Sequence, residues 1–432
     1  MSRVFTTNFG ESLSSESKKR VNEVRLHLNQ PIHPNFNNDF NIYRFVMNAE
    51  RQYKNRKEII EMAAKTLNNH LRIRKCLELD ELPDIPFAEN PIFKHRYLPC
   101  GEIQPFTDKL NRLLWYIEYA TISVEDISHG AKSSEACKYQ FWQFEHMLRR
   151  VNKQEEESGK LSSLRHIIDM TGYEINPFTM IFVSSGTLSY YSQLFHYENY
   201  PELVYPIEMV NIAKWVHVPY RLIKTMMPAG FTDRFRLHDG NFMETLLEDL
   251  SIEHIPSTLG GKNADIKCIP AIKKPLNEYP KPASQHIGSL EAIHLPPRKT
   301  KFLPIDVKTE GCKLSWYFST DGDVYFGIFY EPQLEIIEKS KSEKEFETDS
   351  KEMVYPWWKL SAKLVHDIDS IECKKPGRYY AVFHNSHSWL QNRNVKVMVQ
   401  LTDSDGNTFR HYQDGAREKI SDDNSILRSL SS

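Results

Sequence analysis

The residue patterns from which most enzymes are built are scarce in this chain. No G-x-S-x-G elbow occurs, and Ser184-Ser185-Gly186 reads as ordinary helix surface. There is no P-loop and no G-x-G-x-x-G. His384 and His387 stand at i, i+3, but in a strand-to-loop context with no third ligand, and a metal site needs three or four convergent groups. The six cysteines (Cys76, Cys100, Cys137, Cys268, Cys312, Cys373) contain no C-x-x-C pair and read as free buried thiols. No carboxylate pair stands out among the 57 acidic residues. These patterns lead to the expectation of a protein that is not an enzyme and carries no cofactor or metal. The segment WVHVPYRLIKTMMPAGF (215–231) is unusual in another way. Trp215, Val218, Tyr220, Leu222, Ile223, Met226, Met227 and Phe231 are apolar, and its physics allows two readings. One is a core helix; the other is an apolar lid, with adaptable methionines and Pro219, Pro228 and Gly230 as hinges.

Composition narrows the class. The 432 residues carry 55 Lys+Arg against 57 Asp+Glu, a net charge of −2, which argues against a nucleic-acid binder relying on bulk positive potential. Residues 1–80 nevertheless hold 14 Lys+Arg against 9 Asp+Glu. The N-terminus lacks the apolar core of a signal peptide and no apolar run approaches the ~20 residues that span a bilayer. A cytoplasmic location with transient, peripheral membrane association is expected.

Several elements can be read from periodicity. Ile59, Ala63, Leu67 and Leu71 recur at four-residue spacing and predict an amphipathic helix between Asn55 and Leu77, ended by LPDIP at 82–86. Residues 104–152 read as helical throughout, with Leu110, Leu113, Leu114 and Ile117 on one face and Phe141, Phe144, Met147 and Leu148 continuing the pattern. NKQEEESGK (152–160) reads as an exposed connection. LRHIID (164–169) and Ile207–Ile212 are expected strands around a helical segment at about 178–197, which implies a mainly parallel sheet. After Gly260-Gly261 seven prolines mark a semi-rigid basic linker. KLSWYFSTDGDVYFGIFY (313–330) alternates around Thr320-Asp321-Gly322 as a β-hairpin would, the charged run 335–352 reads as a solvated loop, and strands follow at 377–385 and 394–401. A separate antiparallel sandwich is expected.

Specific blocks in the chain resemble those of CRAL-TRIO lipid-binding proteins. NIYRFVMNAE…AAKTLNNHLRIRK (41–75) is similar to the family's helical N-terminal extension, and LRHIIDMTG (164–172) to its strand ending in Asp-x-x-Gly. ENYPELVYPIEMVNIAKW (198–215) and LEDLSIEHIPSTLGGK (247–262) resemble its Asn-Tyr-Pro-Glu block and its closing segment. LSWYFSTDGDVYFGIFY and PGRYYAVFHNSHSW resemble a GOLD domain, and the two modules in this order resemble the supernatant protein factor and tocopherol-associated protein group. The implied organisation is a flexible N-terminus (1–30), a helical extension (31–85), a CRAL-TRIO α/β pocket domain with a mostly parallel sheet (86–262), a Pro-rich linker (263–301), an all-β GOLD sandwich (302–402) and a C-terminal tail (403–432).

The resemblance favours the lid reading of 215–231, and it aligns Glu202 and Arg234 with the residues that handle a phosphatidylinositol headgroup. The hydroxyl residues used for choline headgroups align with Leu164 and His166. The family's Asn-Ala-Pro turn is altered to Asn211-Ile212-Ala213. A phospholipid with about 30 chain methylenes gains on the order of 24 kcal/mol from burial, so a carrier needs an enclosed apolar cavity and a lid. The expected function is lipid binding and transport: one hydrophobic lipid, phosphoinositide-type or apolar, is carried or presented between membranes. The GOLD domain would contact a protein partner or membrane. The rival reading is an adaptor in signalling or vesicle trafficking whose pocket is a sensor.

Overall fold

A computed structural model of the chain describes residues 5–89, 96, 98–173, 199–213, 217, 220–221, 232–238, 240–332, 346–385, 391–421 and 424–431. The segment expected to be flexible over 1–30 contains a helix. Helix α1 (Ser15–Leu26) is capped by Ser14, whose side chain accepts from the Ser17 amide, and it buries Val21 and Val24 completely. One N-cap serine and two fully buried valines dock this Ser/Lys-rich segment. Helix α2 (Asp39–Gln52), capped by Asn38, is buried on nearly every turn. Helix α3 (Arg56–Cys76) starts at Asn55 and buries Ile59, Ala63, Leu67 and Leu71, as the spacing requires.

The central domain holds strands β1 (Cys100–Gly101), β2 (Ile103–Thr107) and β3 (Leu113–Glu118), then helices α4 (Val124–Gly130) and α5 (Ser133–Ser158), then β4 (Leu164–Asp169), β5 (Val204–Val210), β6 (Phe235–Leu237) and helix α6 (Phe242–Asp249). Its sheet runs β2-β3-β4-β5-β6, parallel from β3 to β6 with an antiparallel edge at β2. Residues 103–107 and 113–118 are therefore strand and not helix. LLWYIE is buried on both faces, so it shows no alternation, and an i, i+3, i+4, i+7 coincidence of leucines imitates a helical stripe. Leu110, counted in that stripe, is 41% exposed at the turn between β2 and β3. Helix α5 also runs through the supposed connection at 152–160, ending only at Gly159 (φ 67) and burying Glu155.

One face of this sheet packs Leu164, Ile168, Val204 and Ile207 against the helices, and the other packs Leu114, Tyr116 and Ile167 on Phe242, Leu246, Ile255 and Leu259. The expected helix at about 178–197 and the charged run up to residue 345 lie outside the described residues. The stretch 263–301 contains β7 (Cys268–Ile269), which pairs antiparallel with β1, a short helix α7 (Ser284–Ile287) and β8 (Glu291–Leu295).

Among the described residues ten strands form the C-terminal sandwich: β8, then β9 (Thr300–Val307), β10 (Cys312–Thr320), β11 (Val324–Glu331), β12 (Glu352–Leu360), β13 (Asp367–Cys373), β14 (Gly377–His384), β15 (Arg393–Thr402), β16 (Thr408–His411) and β17 (Arg417–Ile420), followed by helix α8 (Ile426–Ser431). One sheet has the order β13-β10-β15-β16-β17 with β8 on β15; the other has β12-β11-β14-β9. The hairpin expected at 313–330 is a correction: β10 and β11 are both strands, but they lie in different sheets, and the Asp-Gly turn carries the chain across the sandwich. Between the sheets Trp316, Phe318, Phe326 and Phe383 pack edge to face or tilted, with ring centroids 4.9–5.5 Å apart.

The sandwich is joined firmly to the helices. The Cys76 thiol donates to the Met353 carbonyl, Arg72 donates to the Thr348 and Lys351 carbonyls, and Lys75 pairs with Glu352 at 2.7 Å. From α5, Lys138 meets Asp369 at 2.6 Å, and Ser133 exchanges hydrogen bonds with Ser361.

Candidate functional site

A small hollow with about 40 Å³ of space lies against the β3–β4 face of the sheet, well below the ~300–1,000 Å³ of ligand pockets, so a ligand could enter here only if the walls opened. Its lining is mostly apolar: Leu98, Pro99, Trp115, Ile117, Ile122, Phe144 and Val204, with Tyr119, Gln143 and His166 supplying polar atoms. Pleating puts Trp115 on β3 opposite His166 on β4, and the rings stack with centroids 3.6 Å apart and planes 13° from parallel. His166 is 3% exposed, and its Nε2 has no hydrogen-bond partner among the described residues. Burial pushes its pKa down to about 3, so the imidazole is neutral at physiological pH. Leu164, two residues earlier on the same face, is fully buried in the main core and is not part of the lining.

The structure brings Glu202 and Arg234 together at 2.7 Å, and it adds a partner that the sequence did not reveal. Arg51 of α2 donates from Nε and Nη2 to the two Glu202 oxygens at 2.7 and 2.8 Å, as a bidentate fork. The guanidinium of Arg51 also lies over Phe5 and Tyr205, 4.8 and 5.2 Å from the ring centroids. Glu202 is wholly buried and holds a left-handed backbone (φ 57). Burial alone would raise its carboxyl pKa, but Arg234 and Arg51 outweigh that and hold it below the ordinary carboxylate range. Neither Glu202 nor Arg234 lines the cavity, although Val204, two residues on, does.

Two neighbouring ion pairs follow the same plan. Arg44 of α2 reaches Glu155 at 2.5 Å, and Arg74 of α3 reaches Glu145 at 2.5 Å, where the Tyr200 hydroxyl also donates at 2.6 Å. Arg51 carries no local sequence signal, because its partner is 151 residues away. Trp115 was hidden by the helical reading of its strand. On the opposite sheet face Arg165, Arg236 and His238 converge on buried Glu208, tying β4, β5 and β6 together. Asp169, at the end of β4, accepts from Thr171 and from Asn211 at 2.9 Å, so the Asp-x-x-Gly turn is stitched to the altered Asn211-Ile212-Ala213 turn.

Of the apolar residues expected in the lid, Tyr220 is described; burial raises its pKa, with Asp233 adding to the shift. Trp215, Val218, Leu222, Ile223, Met226, Met227 and Phe231 lie outside the described residues, as does His387. Among the described residues no helix is long and apolar enough to cross a membrane.

Residues 102–261, the stretch that holds this sheet and the Gly-Gly closing turn, match the model of the CRAL/TRIO domain family, and that family typically binds lipophilic ligands. Residues 13–82 match a domain of unknown function, DUF8435, and residues 276–410 match a C-terminal domain described as F28H7_8_C-like. Across nearly the whole chain the similarity is to the CRAL-TRIO domain-containing protein F28H7.8 of Caenorhabditis elegans, 23% identical over 383 residues and covering 88% of this chain and 89% of that one. The crystal structure of Sfh5 aligns with a TM-score of 0.38 at 13% identity, over 60% of this chain and 79% of that chain.

Proposed function

We propose that the chain is a non-enzymatic carrier that encloses one lipophilic ligand in the central domain and delivers or presents it between membranes. The observation that carries this reading is the apolar hollow above Trp115 and His166. Glu202 and Glu145 are engaged in ion pairs that hold the fold, and the histidine in the wall stays neutral, which suits holding a ligand better than transforming it.

The cavity also supports a preference within the class. A neutral imidazole in an apolar wall suits a ligand whose enclosed end is apolar or bears an uncharged group. Both oxygens of Glu202 are already taken by arginines, so a phosphatidylinositol headgroup would have to displace one of them. The sandwich, which resembles a GOLD domain, would supply contacts to a protein partner or membrane, by analogy of fold.

The test is native mass spectrometry of the purified chain with lipid extraction. A single stoichiometric lipid is expected; a protein that neither retains one nor loads one from vesicles overturns the reading. If phosphatidylinositol is the cargo, Glu202→Ala and Arg234→Ala should each abolish its uptake while apolar lipids still load.

A further inference from the structure

The basic excess that stands out in residues 1–80 is largely consumed inside the molecule. Arg20, Arg25, Arg44, Arg51, Arg56, Arg72 and Arg74 all end on carboxylates. The basic stretch after the central domain behaves differently. Residues 262–281 hold five lysines (Lys262, Lys267, Lys273, Lys274, Lys281) against Asp265 and Glu278. Lys262 pairs with Glu253 at 3.1 Å, whereas Lys267, Lys273 and Lys281 are exposed and make no ion pair among the described residues.

The stretch is strapped flat onto the central domain through its backbone. β7 pairs with β1, the Ala271 amide donates to Thr121 Oγ1 at 2.9 Å, and the Ile272 amide donates to the Arg96 carbonyl at 2.8 Å. Arg96 returns a bond to the Pro270 carbonyl at 3.0 Å, and the Tyr279 hydroxyl donates to Asp126. With the backbone tied down, the Ile272 side chain is 44% exposed, next to Lys273 in the chain. The anchors are also cavity walls: Leu98 and Pro99 immediately precede β1, and Ile122 immediately follows Thr121.

We propose that this strap is a docking surface for an anionic membrane, placed beside the cavity so that a docked molecule presents the cavity to the bilayer. An exposed isoleucine among unpaired lysines suits a lipid interface, where the apolar group enters the headgroup boundary and the ammonium groups face anionic lipids. A nucleic acid would use the lysines but gain nothing from Ile272. The purpose of the surface rests on the carrier reading, but its test does not.

The full chain is floated with vesicles of phosphatidylcholine alone and of phosphatidylcholine mixed with phosphatidylserine. Each well-placed lysine strengthens binding to an anionic leaflet about fivefold, so Lys267→Gln with Lys273→Gln should weaken partition to the mixed vesicles roughly 25-fold. Ile272→Ser should weaken it further by a factor of several. Lys18→Gln with Lys19→Gln, on the exposed side of α1, should change it little. Binding to the mixed vesicles that is unaffected by the strap variants, that falls equally in the α1 variant, or that shows no preference over phosphatidylcholine overturns the proposal. Lipid loading, read by native mass spectrometry on the same samples, reports on the carrier reading independently.

Discussion

Replacing Arg51 by methionine removes the fork on Glu202 while keeping a long apolar stem over Phe5 and Tyr205. Breaking a buried ion pair from one side costs about 3–5 kcal/mol, because the remaining charge is left in a poor environment. Here Arg234 stays at 2.7 Å, so the loss should lie at the lower end, near 3 kcal/mol at neutral pH. The pH dependence gives a sharper test. Glu202 has its pKa lowered in the folded protein, so its stabilising contribution is present above the ordinary carboxylate value of 4.5 and is lost as pH falls through the folded value. The variant has already lost much of that contribution. The gap between the two proteins should therefore be widest near neutrality and narrow below about pH 4.5 as the carboxyl protonates. Urea denaturation followed by tryptophan fluorescence, at a series of pH values, reads both numbers. A gap below about 1 kcal/mol at neutral pH, or one that stays constant on acidification, would refute the assignment of Arg51 and Glu202 as a stabilising pair.

Two further outcomes are expected. His166→Phe keeps the stack on Trp115 and removes the unpartnered nitrogen, so the ligand-free protein should gain on the order of 1 kcal/mol in denaturation while ligands with an uncharged polar end lose affinity. Gly261→Ala would place a Cβ 2.1 Å from the Ile255 carbonyl oxygen and force the closing turn apart; a loss of about 1–3 kcal/mol is expected, and a neutral result would mean the turn can relax.

The legible parts of this fold are the local ones. The stripe of α3 and the short apolar strand β4 could be read because their periodicity or their bounding turn lies within a dozen residues. β3 was lost because a strand buried on both faces has no period of its own. The turn at Thr320-Asp321-Gly322 shows a similar limit: alternation on either side of Asp-Gly identifies two strands, but it does not say whether they pair with each other or with β15 and β14 in separate sheets. At the site, Glu202 and Arg234 could be named from the motif blocks. Arg51 could not, since only folding brings α2 across to the Asn-Tyr-Pro-Glu block. Aromatic residues make up 12% of the chain, and part of that supply is spent between the sheets of the sandwich.

Arg44, Arg51 and Arg74 have a consequence for dissecting the chain. Each leaves the helical extension and ends on a glutamate that is at most 3% exposed in the central domain: Glu155, Glu202 and Glu145. A fragment cut at the limits of the matched domain, 102–261, would keep the three carboxylates and lose all three of these arginines. The boundary drawn by sequence similarity thus runs through three buried ion pairs. A fragment that keeps all three pairs has to begin upstream of α2, so the extension supplies part of the central domain's interior from a stretch encoded before it.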